Sequence, residues 1–249
     1  MIESECMRPI KIIYTVALII WSYYLTYAVY LGLIANPVPE QGDGYDYHLP
    51  IAQTILDGRF LHPAHFKLPQ WYYPGSGELI NSLFLLVHIP ITATNIVAII
   101  LLFIVCFKLG LVFRLQYYFA LLFSLTIVTL NVLVRWYNDM SLDVLVTVFF
   151  VYSIILLEKP NKSWMYFLKL GLMFGLLIGS KYSALFLVIL LTIVYGKKII
   201  IFLNLKNSIA FLIPFSVFGL FWYIRNFIYM KNPFYPVPFF GLPGKDQFY

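Results

Sequence analysis

Charge is what this 249-residue sequence has least of. Asp, Glu, Lys and Arg make up 11% of it, against 61% hydrophobic and 19% aromatic residues. With a mean hydropathy of +0.84, that scarcity excludes a soluble domain and implies a polytopic membrane protein. Cysteine is nearly missing too. Cys6 and Cys106, both expected near the cytoplasmic side, offer neither a disulfide framework nor metal-ligand spacing. The chain has no Gly-rich phosphate loop, low-complexity tract or internal repeat. No Ala-x-Ala-like cleavage site follows the first apolar run, Ile10 to Ile34, so that run reads as a retained helix rather than a signal peptide. The net charge of +6 does not indicate nucleic acid, because the basic residues are scattered singly among apolar segments.

What the sequence does contain is a series of apolar segments that predicts an all-α bundle of about seven membrane helices, since backbone groups in lipid must bond within their own segment. The expected helices run from Ile10 to Ile34, Thr92 to Phe107, Tyr117 to Val134, Asp139 to Leu157, Trp164 to Ile178, Ser183 to Tyr195 and Ser208 to Ile224. A loop over 35–91 separates the first two and holds two shorter helices too short to span. One, Asp46 to Asp57, tolerates Pro50 in its first turn and ends at Gly58. The other, Ser76 to His88, opens on a Ser76 cap with Glu78 at its N-terminus and stops at Pro90. Both should lie in the interface. Gly179-Ser180-Lys181-Tyr182 reads as a polar turn that dips into the membrane.

The positive-inside rule places the amino terminus in the cytoplasm, with Arg8, Lys11, Lys108, Arg114, Lys159, Lys162, Lys169, Lys197, Lys198 and Lys206 on the inner side. Glu40, Asp43, Asp46, Asp57, Glu78, Asp139, Asp143 and Asp246 then fall on or near the outer face, as do His48, His62, His65 and His88. Titratable chemistry is therefore expected outside. Asp43, between Gly42 and Gly44 and four residues before Tyr47, can serve as a general base or bind a cation. Helix capping is the simpler role for Asp46 and fits Asp43 less well. In the fourth helix Asp139 and Asp143 are expected one turn apart on one face. An intramembrane acid such as Asp143 needs a basic partner, whereas Asp139 is explained by a cap with Asn138. Lys181 and Arg225 sit near the outer face against the charge bias. Each alone is most simply a snorkelling residue, but together they suit a phosphate or pyrophosphate.

His62 and His65, three apart, could join His48 or an acid on a metal, yet no zinc signature is present and polar loop histidines are the simpler reading. The clusters Trp71-Tyr72-Tyr73 and Phe234-Tyr235 most simply form an interfacial belt, and stacking on a sugar is the alternative.

The order of these features resembles a known family. A long first helix, Asp43-x-x-x-Tyr47-His48-Leu49-Pro50, Tyr73-Pro74-x-x-x-Glu78-Leu79, Asn138-Asp139 at a helix top, Gly179-Ser180-Lys181-Tyr182 and Trp222-Tyr223-x-Arg225-Asn226 followed by Asn232-Pro233 are similar to GT-C membrane glycosyltransferases. Their relatives include the aminoarabinose transferase that modifies lipid A and the protein O-mannosyltransferases. The resemblance implies a GT-C-like module over 1–249. It also implies a sugar donor on a polyprenyl phosphate and inverting transfer to a lipid, glycan or protein acceptor at the extracytoplasmic face of a plasma or inner membrane.

In that family reading Asp43 matches the catalytic aspartate, with Asp46, Glu78, Asp139 and Asp143 as supporting acids. Lys181 and Arg225 bind the donor phosphate, and Tyr47, His48 and Asn226 line the substrate. A divalent cation, if one is used, would fall to Asp43 and Asp139. Two departures stand out. Gly44 occupies the place of a second acid in many relatives, and Tyr73-Pro74-Gly75-Ser76-Gly77-Glu78 replaces a basic motif. The chain stops at Gly244-Lys245-Asp246-Gln247-Phe248-Tyr249 without the further helices of most members, which reads as a fragment or a shortened form. A non-enzymatic lipid-binding or transport module and an inactive subunit of a larger transferase are the competing readings.

Overall fold

All regular elements among the described residues are helical. The computed structural model describes residues 2–35, 44–63, 68–134, 141–202, 204–238 and 240–244. Helix α1 (Ile2–Val29) continues as a wider π turn over Tyr30–Ala35. A second π turn, Gly44–His48, runs directly into α2 (Leu49–Leu56). Then come α3 (Glu78–Leu86), α4 (Ala93–Val112), α5 (Tyr117–Val128), the single turn α6 (Asn131–Val134) and α7 (Asp143–Glu158). The chain continues through α8 (Trp164–Ser180) and α9 (Ala184–Ile200). Helices α10 (Leu205–Phe215) and α11 (Phe221–Met230) are joined by a π turn, Ser216–Leu220.

Among the described residues three stretches are long and apolar enough to cross a membrane: Lys11–Val29, Ala93–Val112 and Leu205–Met230. Helix α4 shows why such a segment still has a preferred inner side. Ala98, Ile99, Leu102, Val105 and Cys106, spaced three and four apart, are buried, whereas Val97, Ile100, Ile104 and Leu111 face outward. Its inner stripe meets α5 and α7. Helix α1 lies on the outside with Ile12, Ile19 and Tyr23 more than half exposed, and Trp21 stacks on Phe103 of α4 at 4.9 Å. An apolar face of that extent belongs against lipid rather than water.

The tightest packing joins α8 to α10 and its π turn. Gly171, Gly175 and Gly179 lie on one stripe of α8, and a Cβ at them would meet the carbonyl oxygens of Phe211, Pro214 and Phe218 at 2.1, 2.8 and 1.8 Å. Small residues let two helix backbones approach where no water-driven attraction separates lipid from leucine. Pro214, inside α10, has no N–H to donate, and the ladder widens in the turn that follows it.

Each apolar segment expected to be a helix is one, but several ends differ. The third does not run through Val134. It ends at Val128, where the Thr129 hydroxyl donates to the Leu125 carbonyl at 2.7 Å, and α6 starts afresh at Asn131. The fourth begins at Asp143, with Ser141 and Leu142 ahead of it outside any helix, so Asp143 is the first residue of its helix rather than one turn deep; Asp139, expected on the same face, lies outside the described residues. The eighth helix carries Gly179 and Ser180 within it, and the polar turn is confined to residues 181–183. In the outer loop, α2 takes Pro50 in its first turn and Gly58 adopts the left-handed conformation (φ 71°) just past its end. Ser76 does not cap α3. Its hydroxyl donates to the Phe218 carbonyl and accepts from Trp222 Nε1 at 2.7 Å, and its N–H donates to the Gly179 carbonyl at 2.7 Å.

Candidate functional site

These ties bring the start of α3 against the end of α8, and a cavity of about 280 Å³ opens beside them. One wall is built by the turn Gly44–His48. Trp71 Nε1 donates to the Asp46 carbonyl at 2.9 Å, fixing that turn over the 3-10 segment Pro69–Tyr72. Pro50 then sets the direction of α2 and leaves His48 buried, 3% exposed. Its ring Nδ1 is hydrogen-bonded to Glu78 Oε1 at the first turn of α3. Glu78 is 1% exposed, and its other oxygen accepts from Asn81 Nδ2 at 2.5 Å, one turn along. Asn81 Oδ1 in turn accepts from the Thr94 hydroxyl of α4 at 2.5 Å. A carboxyl buried this deeply is tolerable only when its oxygens are satisfied, and here two side chains do so.

The facing wall is more open. Lys181, just past α8, places Nζ 2.5 Å from Asp143 Oδ1 at the first residue of α7. Asp143 is held from two sides. Ser141 Oγ donates to Oδ2 at 2.5 Å, and the Asp143 N–H donates to Ser141 Oγ at 3.2 Å. A carboxylate at a helix N-terminus also complements the helix dipole. The carboxylate is therefore the fixed partner, and the flexible lysine comes to it.

Aromatic rings close the remaining sides. Tyr47 lies 4.0 Å from the His48 ring, Tyr73 meets Tyr47 edge-on at 6.0 Å, and Tyr182 meets Tyr73 edge-on at 5.8 Å. Tyr182 is fixed by its hydroxyl, which donates to the Tyr235 carbonyl at 2.7 Å and accepts from Asn226 Nδ2 at 2.9 Å. The cavity thus combines flat rings, one acid–imidazole pair and one lysine. Such a set can stack on a polar ring, hold an anionic group and exchange protons.

Of the residues singled out in the sequence, Tyr47, His48, Glu78 and Lys181 line this cavity, and Asp143 stands behind it on Lys181. The cationic partner that Asp143 required is Lys181. Arg225 and Asn226 do not join them as a clamp. Arg225 is 4% exposed, its Nη2 donates to the Tyr72 carbonyl at 2.9 Å, and Nε and Nη2 both reach Asn226 Oδ1, at 3.1 and 2.8 Å. Its guanidinium also lies 4.9 Å from the Trp222 ring centroid. Asn226 Nδ2 donates to the Tyr72 carbonyl at 2.8 Å, so the pair fastens the outer loop to α11. Asn226 reaches the cavity wall through the Tyr182 hydroxyl. The Asp46 side chain is exposed and apart from the cavity.

Asp43 and Asp139 lie outside the described residues, and with them the positions named for a cation. His62 is paired with the Tyr229 hydroxyl at 2.8 Å and His48 with Glu78, while His65 lies outside the described residues. Among the described residues no three His, Cys, Asp or Glu side chains gather as a metal site. Sequence reasoning missed Asn81, Thr94 and Ser141, and for Tyr73 it offered an interfacial belt first and stacking on a sugar second; Tyr73 lines the cavity. Asn81 carried a usable signal, being an amide three positions after Glu78 on a helix that is otherwise apolar but for Ser82.

No protein-family model matches the chain, and neither curated proteins nor solved structures match it. The chemistry of the cavity and the order of the motifs carry the functional reading.

Proposed function

We propose that the protein is a membrane glycosyltransferase that takes a sugar from a polyprenyl-phosphate donor at the extracytoplasmic face. In this reading α1, α4, α5, α7, α8, α9 and the α10–α11 helix all cross the bilayer in a GT-C-like module, and α2 and α3 rest at its outer surface. The supporting observation is the gathering of Lys181, Glu78, His48 and three tyrosines, from segments far apart in sequence, around one cavity. At about 280 Å³ it lies near the small end of ligand pockets, roughly 300–1,000 Å³. One sugar ring and its phosphate suit that size better than an oligosaccharide does.

The division of roles follows from the chemistry. A phosphate-linked sugar already carries a good leaving group, so the site needs a base for the acceptor and positive charge at the phosphate. Lys181 supplies the charge. Tyr47, Tyr73 and Tyr182 face the sugar. Asp43, next to Gly44 and four residues before Tyr47 in sequence, takes the acceptor proton as the acceptor atom bonds to the anomeric carbon and the carbon–phosphate oxygen bond breaks. Polyprenyl phosphate departs and the anomeric configuration inverts.

The test is turnover of a radiolabelled polyprenyl-phosphate hexose by the full chain in liposomes, with label counted in water and in lipid. The wild type is expected to consume the donor. Asp43→Asn should lower the rate by about 10²–10⁴-fold, the usual contribution of a general base. Lys181→Met should mainly raise KM for the donor. A wild-type chain that consumes no donor, or an Asp43→Asn chain that matches it, would sink the proposal.

A further inference from the structure

The charge count around the cavity says more than that an anion fits. Among the described residues of the cavity, the one lysine is paired with Asp143, and the other carboxyl, Glu78, is paired with the His48 ring. Glu78 is committed to His48 and Asn81. The Asp143 carboxylate takes the Ser141 hydroxyl proton at Oδ2, a contact it would lose on swinging away, and the Asp143 backbone N–H holds that hydroxyl in place. A phosphate that reaches Lys181 therefore meets a cation whose charge is already shared with a fixed carboxylate 2.5 Å away. The second negative charge on a ligand finds no second lysine or arginine among the described lining residues.

We infer that Asp143 makes this cavity discriminate by ligand charge, keeping a monoanionic phosphodiester and rejecting a dianionic phosphomonoester. The inference rests on the transferase reading and deepens it. In that reaction the donor is a phosphodiester and the spent carrier a phosphomonoester, so the same carboxylate that tolerates the donor expels the product. Lys181 supplies affinity for both, and Asp143 sets the difference between them.

Two probes isolate that difference: decaprenyl phosphate and its methyl ester, which share a tail and differ by one charge. Binding is measured to the full chain in phosphatidylcholine nanodiscs, at a pH of about 8, where an alkyl phosphate with a second pKa of about 6 is dianionic. The wild type should bind the methyl ester about tenfold more tightly than the free phosphate, a screened Coulombic penalty at a half-exposed site. Asp143→Asn, which keeps the size of the side chain and its reach to Ser141, should tighten the free phosphate until the two agree within about threefold. Lys181→Met should weaken both. Equal binding of the two probes by the wild type, or an unchanged ratio in Asp143→Asn, would overturn the inference and leave the transferase reading standing. Failure of the wild type to bind either probe above empty nanodiscs would remove the transferase reading and this inference with it.

Discussion

Two acid–base pairs stand at the cavity, and they differ in almost everything except their charges. In the His48–Glu78 pair the side chains are 4% and 2% exposed, and the acid belongs to a chain of hydrogen bonds that ends in the next helix. In the Lys181–Asp143 pair the side chains are 35% and 47% exposed, and Ser141 stands behind the acid. A buried pair has exchanged water for fixed partners, so removing one member strands the others. An exposed pair trades one solvated arrangement for another at little net gain. The first pair therefore shapes the wall, and the second is available to a ligand.

Stability measurements on the two sides put this contrast at risk. The largest effect is expected from Glu78→Ala, which leaves His48 and Asn81 without their shared partner. A loss of about 3–5 kcal/mol, the usual result of breaking a buried pair, should appear as a lower unfolding midpoint in detergent. Next is Gly179→Ala, whose added methyl would sit 1.8 Å from the Phe218 carbonyl beside Ser76. Overpacking of this kind costs about 1–3 kcal/mol, and a shift in the same assay would show that the helix contact supports the wall. The smallest effect belongs to Asp143→Ala, about 0–1 kcal/mol for a half-exposed pair. If Asp143→Ala destabilised the protein as much as Glu78→Ala, the division into a structural and an available pair would be wrong.

The helices were legible in the sequence because each carries a long apolar run with polar punctuation, and α4 or α8 could be placed to within a few residues. The break after Val128 was not. Leu130 to Val134 is as apolar as what precedes it, and no Gly or Pro marks the end of the helix. Within the site, single residues were visible and pairings were not. His48 and Glu78 are 30 positions apart, and Asp143 and Lys181 are 38 apart. The need for a cation near Asp143 follows from the cost of an unpaired acid in an apolar setting, yet sequence offered both Lys181 and Arg225. Packing separates them, because the planar guanidinium is occupied by Asn226 and the Tyr72 carbonyl while the lysine can reach past the end of α8.

The central claim is that the cavity between these pairs receives the phosphate end of a polyprenyl-linked sugar. The most direct measurement is photo-crosslinking of the full chain in nanodiscs with a polyprenyl phosphate methyl ester that carries a diazirine next to the phosphate, followed by mapping of the labelled residues. The account predicts labels at Tyr47, Tyr73, Lys181 and Tyr182, competed away by unlabelled polyprenyl phosphate methyl ester. Labels confined to the exposed face of α1 or to the opposite end of the bundle around Glu158 and Lys198, with none at the cavity, would contradict it.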